Sequence, residues 1–144
     1  MILSSAYNLQ SNQPDIPISS SNFEYVAIGR KLNPPGINDP NCQLTINEGT
    51  TVYLHKNSGI IVGNPFSSNS GGTIKVNGDL GNEVTFRGDR LDSWYDSIPG
   101  QWDRIWLYPG SIDNEFNYTN FQNGTIAIHA DTIGNNNPNT ILNN

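Results

Sequence analysis

Gln43-Leu44-Thr45-Ile46-Asn47-Glu48-Gly49-Thr50-Thr51-Val52-Tyr53-Leu54-His55-Lys56-Asn57-Ser58-Gly59-Ile60-Ile61-Val62 is three short apolar words divided by turn residues. Each word alternates in-out-in, the period of a strand with one buried face. Leu44, Val52 and Ile60 stand eight residues apart, so the words recur at even spacing. The pattern continues through Ile74-Lys75-Val76, Val84-Thr85-Phe86 and Ile105-Trp106-Leu107. The words are too short, and too often broken by Gly, to be helices. Short strands in series with turns between them define a β-solenoid, a barrel or a sandwich. The expected interior is Leu44, Ile46, Val52, Leu54, Ile60 and Val62, continued by Ile74, Val76, Val84, Phe86, Ile105 and Leu107.

Working outward, Gly63 to Gly72 is a polar excursion, and Arg87 to Asp103 is an insertion that interrupts the strand spacing. Phe116 to Phe121 is a further word of unsettled register, followed by Ile126 to Ile128, a turn at Asn135 to Asn139, and Thr140-Ile141-Leu142. Residues 1–42 differ. Pro14, Pro17, Pro34, Pro35 and Pro40 remove backbone donors and disfavour helix. Only Phe23 to Ile28 has a strand pattern there, so the segment is expected to be an extended leader that caps the first coil. Residues 43–144 are expected to hold the coils. Nine words at three per turn make three coils, about 14 Å of column at ~4.8 Å per layer. A strand word opening at Thr140 implies an uncovered C-terminal edge, to be met by further coils of a longer polypeptide, a protein partner or a second copy.

Composition narrows the function. The chain of 144 residues makes one domain at most, and 7 Lys plus Arg against 13 Asp plus Glu leave a formal charge of −6. No basic patch exists to neutralise phosphates, which speaks against nucleic acid and anionic membranes. Cys42 is the single cysteine, which excludes an internal disulfide and suits a small buried filler. No segment has the ~20 apolar residues of a membrane span, and Met1-Ile2-Leu3 does not open a signal peptide.

The order of the words resembles the opening coils of right-handed parallel β-helix repeat proteins. It is most similar to secreted surface β-helix proteins of Bacteroidetes. The resemblance rests on Leu44 to Leu54, Gly72 to Gly78, Val84-Thr85-Phe86-Arg87-Gly88-Asp89-Arg90-Leu91, Ile98-Pro99-Gly100-Gln101-Trp102-Asp103-Arg104-Ile105, and Asn114 to Gly124. It covers roughly residues 43–142. Family members continue for further coils, and many carry a lipoprotein signal and a β-sandwich that this sequence lacks. The resemblance implies an all-β, right-handed parallel β-helix and an exported, extracellular or cell-surface location.

The chemistry-bearing residues are few. Asp89, Asp92, Asp96 and Asp103 could supply oxygen ligands for Ca²⁺, but their spacing fits a solvated acidic loop better. His55 and His129 lack metal or triad spacing and are expected at the surface. No catalytic residue, metal site or cofactor is assigned. Arg87-Gly88-Asp89 is a short adhesion-like tripeptide of low specificity. Asn117-Tyr118-Thr119 and Asn123-Gly124-Thr125 are sequons without meaning in a bacterium. Ser97 and Thr132 lie in Asp-Ser/Thr-aliphatic patterns that suit Bacteroidetes O-glycosylation. Trp94, Tyr95, Trp102, Trp106 and Tyr108 are the candidate binding surface, for a glycan or a protein. The alternative is that the insertion aromatics fold back into a satellite core. Two functions follow: a non-catalytic exported module for binding or assembly at a bacterial surface, alone or as a subunit or fragment of a larger outer-membrane-associated assembly, or a carbohydrate-active β-helix enzyme of lyase or glycosidase type, or its remnant. An enzyme should gather acidic and basic residues on one strand face, whereas a module should show an aromatic, charge-poor one.

Overall fold

The computed structural model describes residues 2–3, 7–9, 17–18, 25–28, 42–63, 71–132 and 140–143. The polar excursion at 64–70, the turn at Asn135 to Asn139 and Phe23 lie outside the described residues, as does the side chain of Cys42. The central words become β5 (Cys42–Asn47), β6 (Thr51–Leu54), β7 (Gly59–Val62), β8 (Gly72–Asn77), β9 (Val84–Gly88) and β10 (Ile105–Leu107). They are followed by β11 (Asn114–Asn117), β12 (Thr119–Phe121), β13 (Ile128–Ala130) and β14 (Thr140–Asn143), and preceded by β1 (Ile2–Leu3), β2 (Tyr7–Leu9), β3 (Pro17–Ile18) and β4 (Tyr25–Ile28).

Every strand pairs in parallel with the strand three places away in sequence. The three sheets run β1-β4-β7-β10-β13, β2-β5-β8-β11-β14 and β3-β6-β9-β12. Three strands per turn therefore stack layer on layer in a parallel, β-helix-like column. No hairpin joins β6 to β7; β6 pairs with β3 and β9, and β7 with β4 and β10. The column is deeper than three coils, because residues of the expected leader enter the sheets as β1 to β4, at Ile2↔Ala27, Tyr7↔Leu44, Pro17↔Tyr53 and Val26↔Ile60.

The interior is the expected one. All twelve residues expected inside are buried, joined by Trp102 and Phe116. Stacking in register explains why: Ile46, Val76 and Phe116 form one inward file, and Ile60, Ile105 and Ile128 another. Each file buries a face that one coil could not bury alone. Phe86 and Phe121 stack with ring centroids 5.5 Å apart, extending this packing into the layer of β11 to β13.

Two register readings are corrected. Phe116 to Phe121 is not one word but β11 and β12, parted by Tyr118 at φ 40°. That left-handed residue turns the chain a corner. The next strand is Ile128–Ala130 rather than Ile126 to Ile128. Ile128 packs against the core, and Ile126 is 39% exposed.

A second file runs along the corner after sheet β2-β5-β8-β11-β14. Asn47, Asn77, Asn117 and Asn143 stand in register on successive strands. Asn143 Nδ2 donates to Asn117 Oδ1 at 2.7 Å. These residues look like ordinary turn asparagines in the sequence. Their fixed place after Leu-Thr-Ile, Ile-Lys-Val, Glu-Phe and Ile-Leu is the signal that marks them as a ladder.

Beside this ladder, Lys75 and Glu115 are register partners, with Nζ 3.1 Å from Oε2, while Asn117 Nδ2 donates to Glu115 Oε1 at 2.9 Å. The Asn117 hydrogen bond, then the Lys75 contact, lowers the Glu115 carboxyl below its ordinary value. A folded-state value below the unfolded one means stability that is present above the ordinary glutamate range and lost as pH falls through the folded value. Glu115→Gln should therefore be less stable than the parent near neutrality. In denaturant titrations at a series of pH values the two should converge in acid.

Candidate functional site

The insertion is organised from its root. Trp102 is 1% exposed, its indole N–H donates to Gln122 O at 2.7 Å, and its backbone bridges Gly124 in parallel. A Cβ built at Gly124 would lie 2.8 Å from Trp102 Cζ2, so only glycine lets the indole seat there. Trp102 therefore belongs to the core, not to the outward surface expected for it. Asp103 to Leu107 then re-enter the sheet.

The exposed part of the insertion is short. Ser93–Tyr95 is one 3-10 turn, with Tyr95 N bonded to Asp92 O and Ile98 N to Tyr95 O. Gln101 Nε2 donates to Tyr95 O and Ile98 O at 2.5 and 2.8 Å. From the next layer, Asn123 Nδ2 reaches Tyr95 O, Asp96 O and Ile98 O at 3.2, 2.9 and 3.2 Å. Two side-chain amides thus hold three carbonyls of one loop. Arg87 Nη2 bonds Asp96 Oδ1 at 3.0 Å, and the Arg90 guanidinium lies 4.7 Å from the Tyr95 ring centroid. The backbone is clasped while Leu91 and Trp94 project outward; Trp94 is 79% exposed.

Trp106 and Tyr108 form a separate group on the outer face of β10. Trp106 stacks on Tyr108 at 4.9 Å and on His129 at 5.1 Å, and the Arg104 guanidinium lies 5.1 Å from the Trp106 ring. Trp106 and His129 are register partners, so the strand spacing itself sets their stack. Trp106 Nε1 donates to Asp131 Oδ2 at 2.7 Å. Burial raises the Tyr108 phenol above its ordinary value; the Asp131 carboxylate adds to this and the Arg104 guanidinium opposes it. The Trp106 ring is committed to its own protein. His129, expected to be a plain surface residue, is half-buried within this stack.

The five candidate aromatics therefore do not form one surface. Trp94 alone is exposed, Tyr95 holds Arg90, Trp102 is interior, and Trp106 with Tyr108 belongs to the stack. Ser97 and Thr132 are both exposed. Both sequon asparagines use their amide nitrogens internally, Asn117 on Glu115 and Asn123 on the loop.

The insertion carboxylates disperse as well. Asp89 faces His55 Nδ1 at 2.6 Å, Asp96 faces Arg87, and Asp103 accepts from Arg104 Nε at 2.9 Å. Among the described residues no three His, Cys, Asp or Glu side chains gather to hold a metal. Gly88, at the centre of the Arg-Gly-Asp tripeptide, is buried against Gln101, so the tripeptide is not a free loop.

Fold and site together define a class: a three-sheet, parallel β-helix-like column that displays one clasped loop. Compared with protein-family models, with curated proteins and with solved structures, the chain matches none of them. No helix among the described residues is long and apolar enough to cross a membrane.

Proposed function

We propose that this protein is a non-catalytic, exported β-helix module that binds a glycan at a bacterial cell surface. Its column is right-handed, the hand that parallel crossover connections adopt. Its kinship is with the Bacteroidetes surface proteins it resembles. The observation that carries the reading is the Trp94 loop. An indole 79% exposed on a backbone held by Gln101 and Asn123 offers a flat apolar face with little ordering left to do on binding. The flanking Asp92 and Ser93 are exposed and suited to sugar hydroxyls. A second contact region, for a protein partner or further coils, is the outer edge of β14, where Ile141 and Leu142 are 52% and 66% exposed.

Native affinity electrophoresis through soluble glucan, xylan or mannan tests the glycan reading. The parent protein should be retarded by at least one of them. Trp94→Ala should migrate freely while keeping the parent melting temperature, because the side chain it removes touches little. Equal retardation of both proteins would remove Trp94 from any binding role.

One observation favours the enzymatic reading as a second possibility. Tyr53 and Arg87 are register partners on the outer face of β6 and β9, and the His55–Asp89 pair lies just beyond them. Acidic and basic groups thus share one strand face. A carboxylate only accepts, so Nδ1 of His55 carries the proton toward Asp89, leaving Nε2 of the neutral ring as an exposed base. Release of reducing ends or unsaturated products from a polysaccharide, lost in His55→Gln, would establish this reading over the first.

A further inference from the structure

Both ring nitrogens of His129 have polar neighbours, and the Arg104 contact fixes the tautomer of the neutral ring. Arg104 Nη1 lies 2.8 Å from Nδ1. A guanidinium has no acceptor, so Nδ1 is the bare, accepting nitrogen. The ring proton then sits on Nε2, which faces Asp131 Oδ1 at 3.2 Å. His129 is the neutral link of a relay. Arg104 donates to Asp103 and to His129, His129 Nε2 lies 3.2 Å from one Asp131 oxygen, and the other Asp131 oxygen takes the Trp106 N–H. The relay joins β10 to β13, and among the described residues β13 pairs with β10 alone.

This arrangement has no place for a second proton on the ring. Nδ1–H would face the Arg104 N–H group, donor against donor and cation against cation, at 2.8 Å. The charged and titratable neighbours divide, with Arg104 opposing a second ring proton. Asp131 attracts an imidazolium, Asp103 retains Arg104, and the Tyr108 phenol stays neutral.

We propose that the Arg104–His129 hydrogen bond is a proton-operated latch between β10 and β13. In the neutral state it pins the last strand of its sheet through the Trp106 stack. On protonation the imidazolium turns to Asp131 and parts from Arg104, the stack opens, and β13 loosens while the column below it holds. The inference is independent of what the Trp94 loop binds.

Two measurements on the full chain decide it. Long-range nitrogen–proton NMR at about pH 7.5 should find His129 as the Nε2–H tautomer. Amide exchange, corrected for its intrinsic pH dependence, should then be compared between about pH 7.5 and about pH 5, the range in which imidazole changes charge. Protection at Ile128 to Asp131 should fall by about tenfold or more, the scale of one hydrogen bond to a charged group, while β8 amides stay protected. His129→Gln keeps an acceptor and a donor but cannot titrate, so it should remove the pH response and keep the neutral-pH protection. An Nδ1–H tautomer, unchanged protection in acid, or the same response in His129→Gln would each overturn the latch; if that variant does not fold, the tautomer and the parent's exchange still decide.

Discussion

Val76→Asp should leave the protein unfolded at room temperature. Val76 is fully buried in β8, the middle strand of its sheet, between Ile46 below and Phe116 above. Among the described residues no cation faces the interior file in which it stands. An isolated carboxylate there must remain unpaired or take up a proton, and either costs several kcal/mol. Domains of this size hold only about 5–15 kcal/mol in total. Circular dichroism and denaturant titration read the result directly. The control is one residue away: Lys75→Asp faces outward, where it loses a half-exposed pair with Glu115, and the variant should fold. A one-residue slip of register would exchange the two phenotypes, so the pair tests the alternation of the strand as well as the burial. A folded Val76→Asp with a melting temperature near the parent's would show that β8 does not face the core.

Trp102→Ala carries the second largest effect, a loss of about 3–5 kcal/mol, the usual range for emptying an aromatic site in a packed core. The indole fills the space that Gly124 leaves free, so its removal opens a cavity that the neighbouring backbone cannot readily close. Gln122 O also loses its donor. Trp102→Phe refills most of the volume but leaves that carbonyl unpaired, and should cost about 1–3 kcal/mol. Because Gln101 precedes Trp102 and holds two carbonyls of the Trp94 loop, Trp102→Ala should also admit protease between Arg90 and Pro99 before global unfolding. Chemical denaturation with limited proteolysis checks both parts. A surface tryptophan would behave otherwise: its loss would fall within about 0.5 kcal/mol.

That contrast marks where the sequence stops being legible. Period-two alternation is local, and it identifies Val76, Ile46 or Leu107 as interior without knowledge of any partner. The fate of Trp102 is not local. It depends on Gly124 arriving beside it from the next layer, across a separation that no pattern in the insertion encodes. The same holds for the candidate surface. Trp106 points outward by alternation, as expected from Ile105 and Leu107. Its availability was decided by His129 on β13 and Asp131 just beyond it, which strand spacing brings into stacking and hydrogen-bonding range. Trp94 could not be ranked above the other aromatics until Gln101 and Asn123 were seen to hold its loop.

The N-terminal segment gives the converse case. Its prolines argue against helix, and the absence of regular words suggested a leader. β4 falls within the Phe23 to Ile28 strand word, but β1, β2 and β3 each need only two or three residues to pair with β4, β5 and β6. A strand that short has no periodicity to detect, and the neighbouring coil supplies its register.

By itself, then, the sequence determined the strand class, the inward files and the position of most turns, because alternation, glycine and asparagine act through the nearest few residues. Tertiary structure alone decided which layers meet: the asparagine ladder, the clasp on the Trp94 loop, and the relay from Asp103 through Arg104 and His129 to Asp131. Each joins residues separated by a turn of the column or more, and the force that aligns them is the parallel pairing of whole strands, which no single stretch of the chain contains.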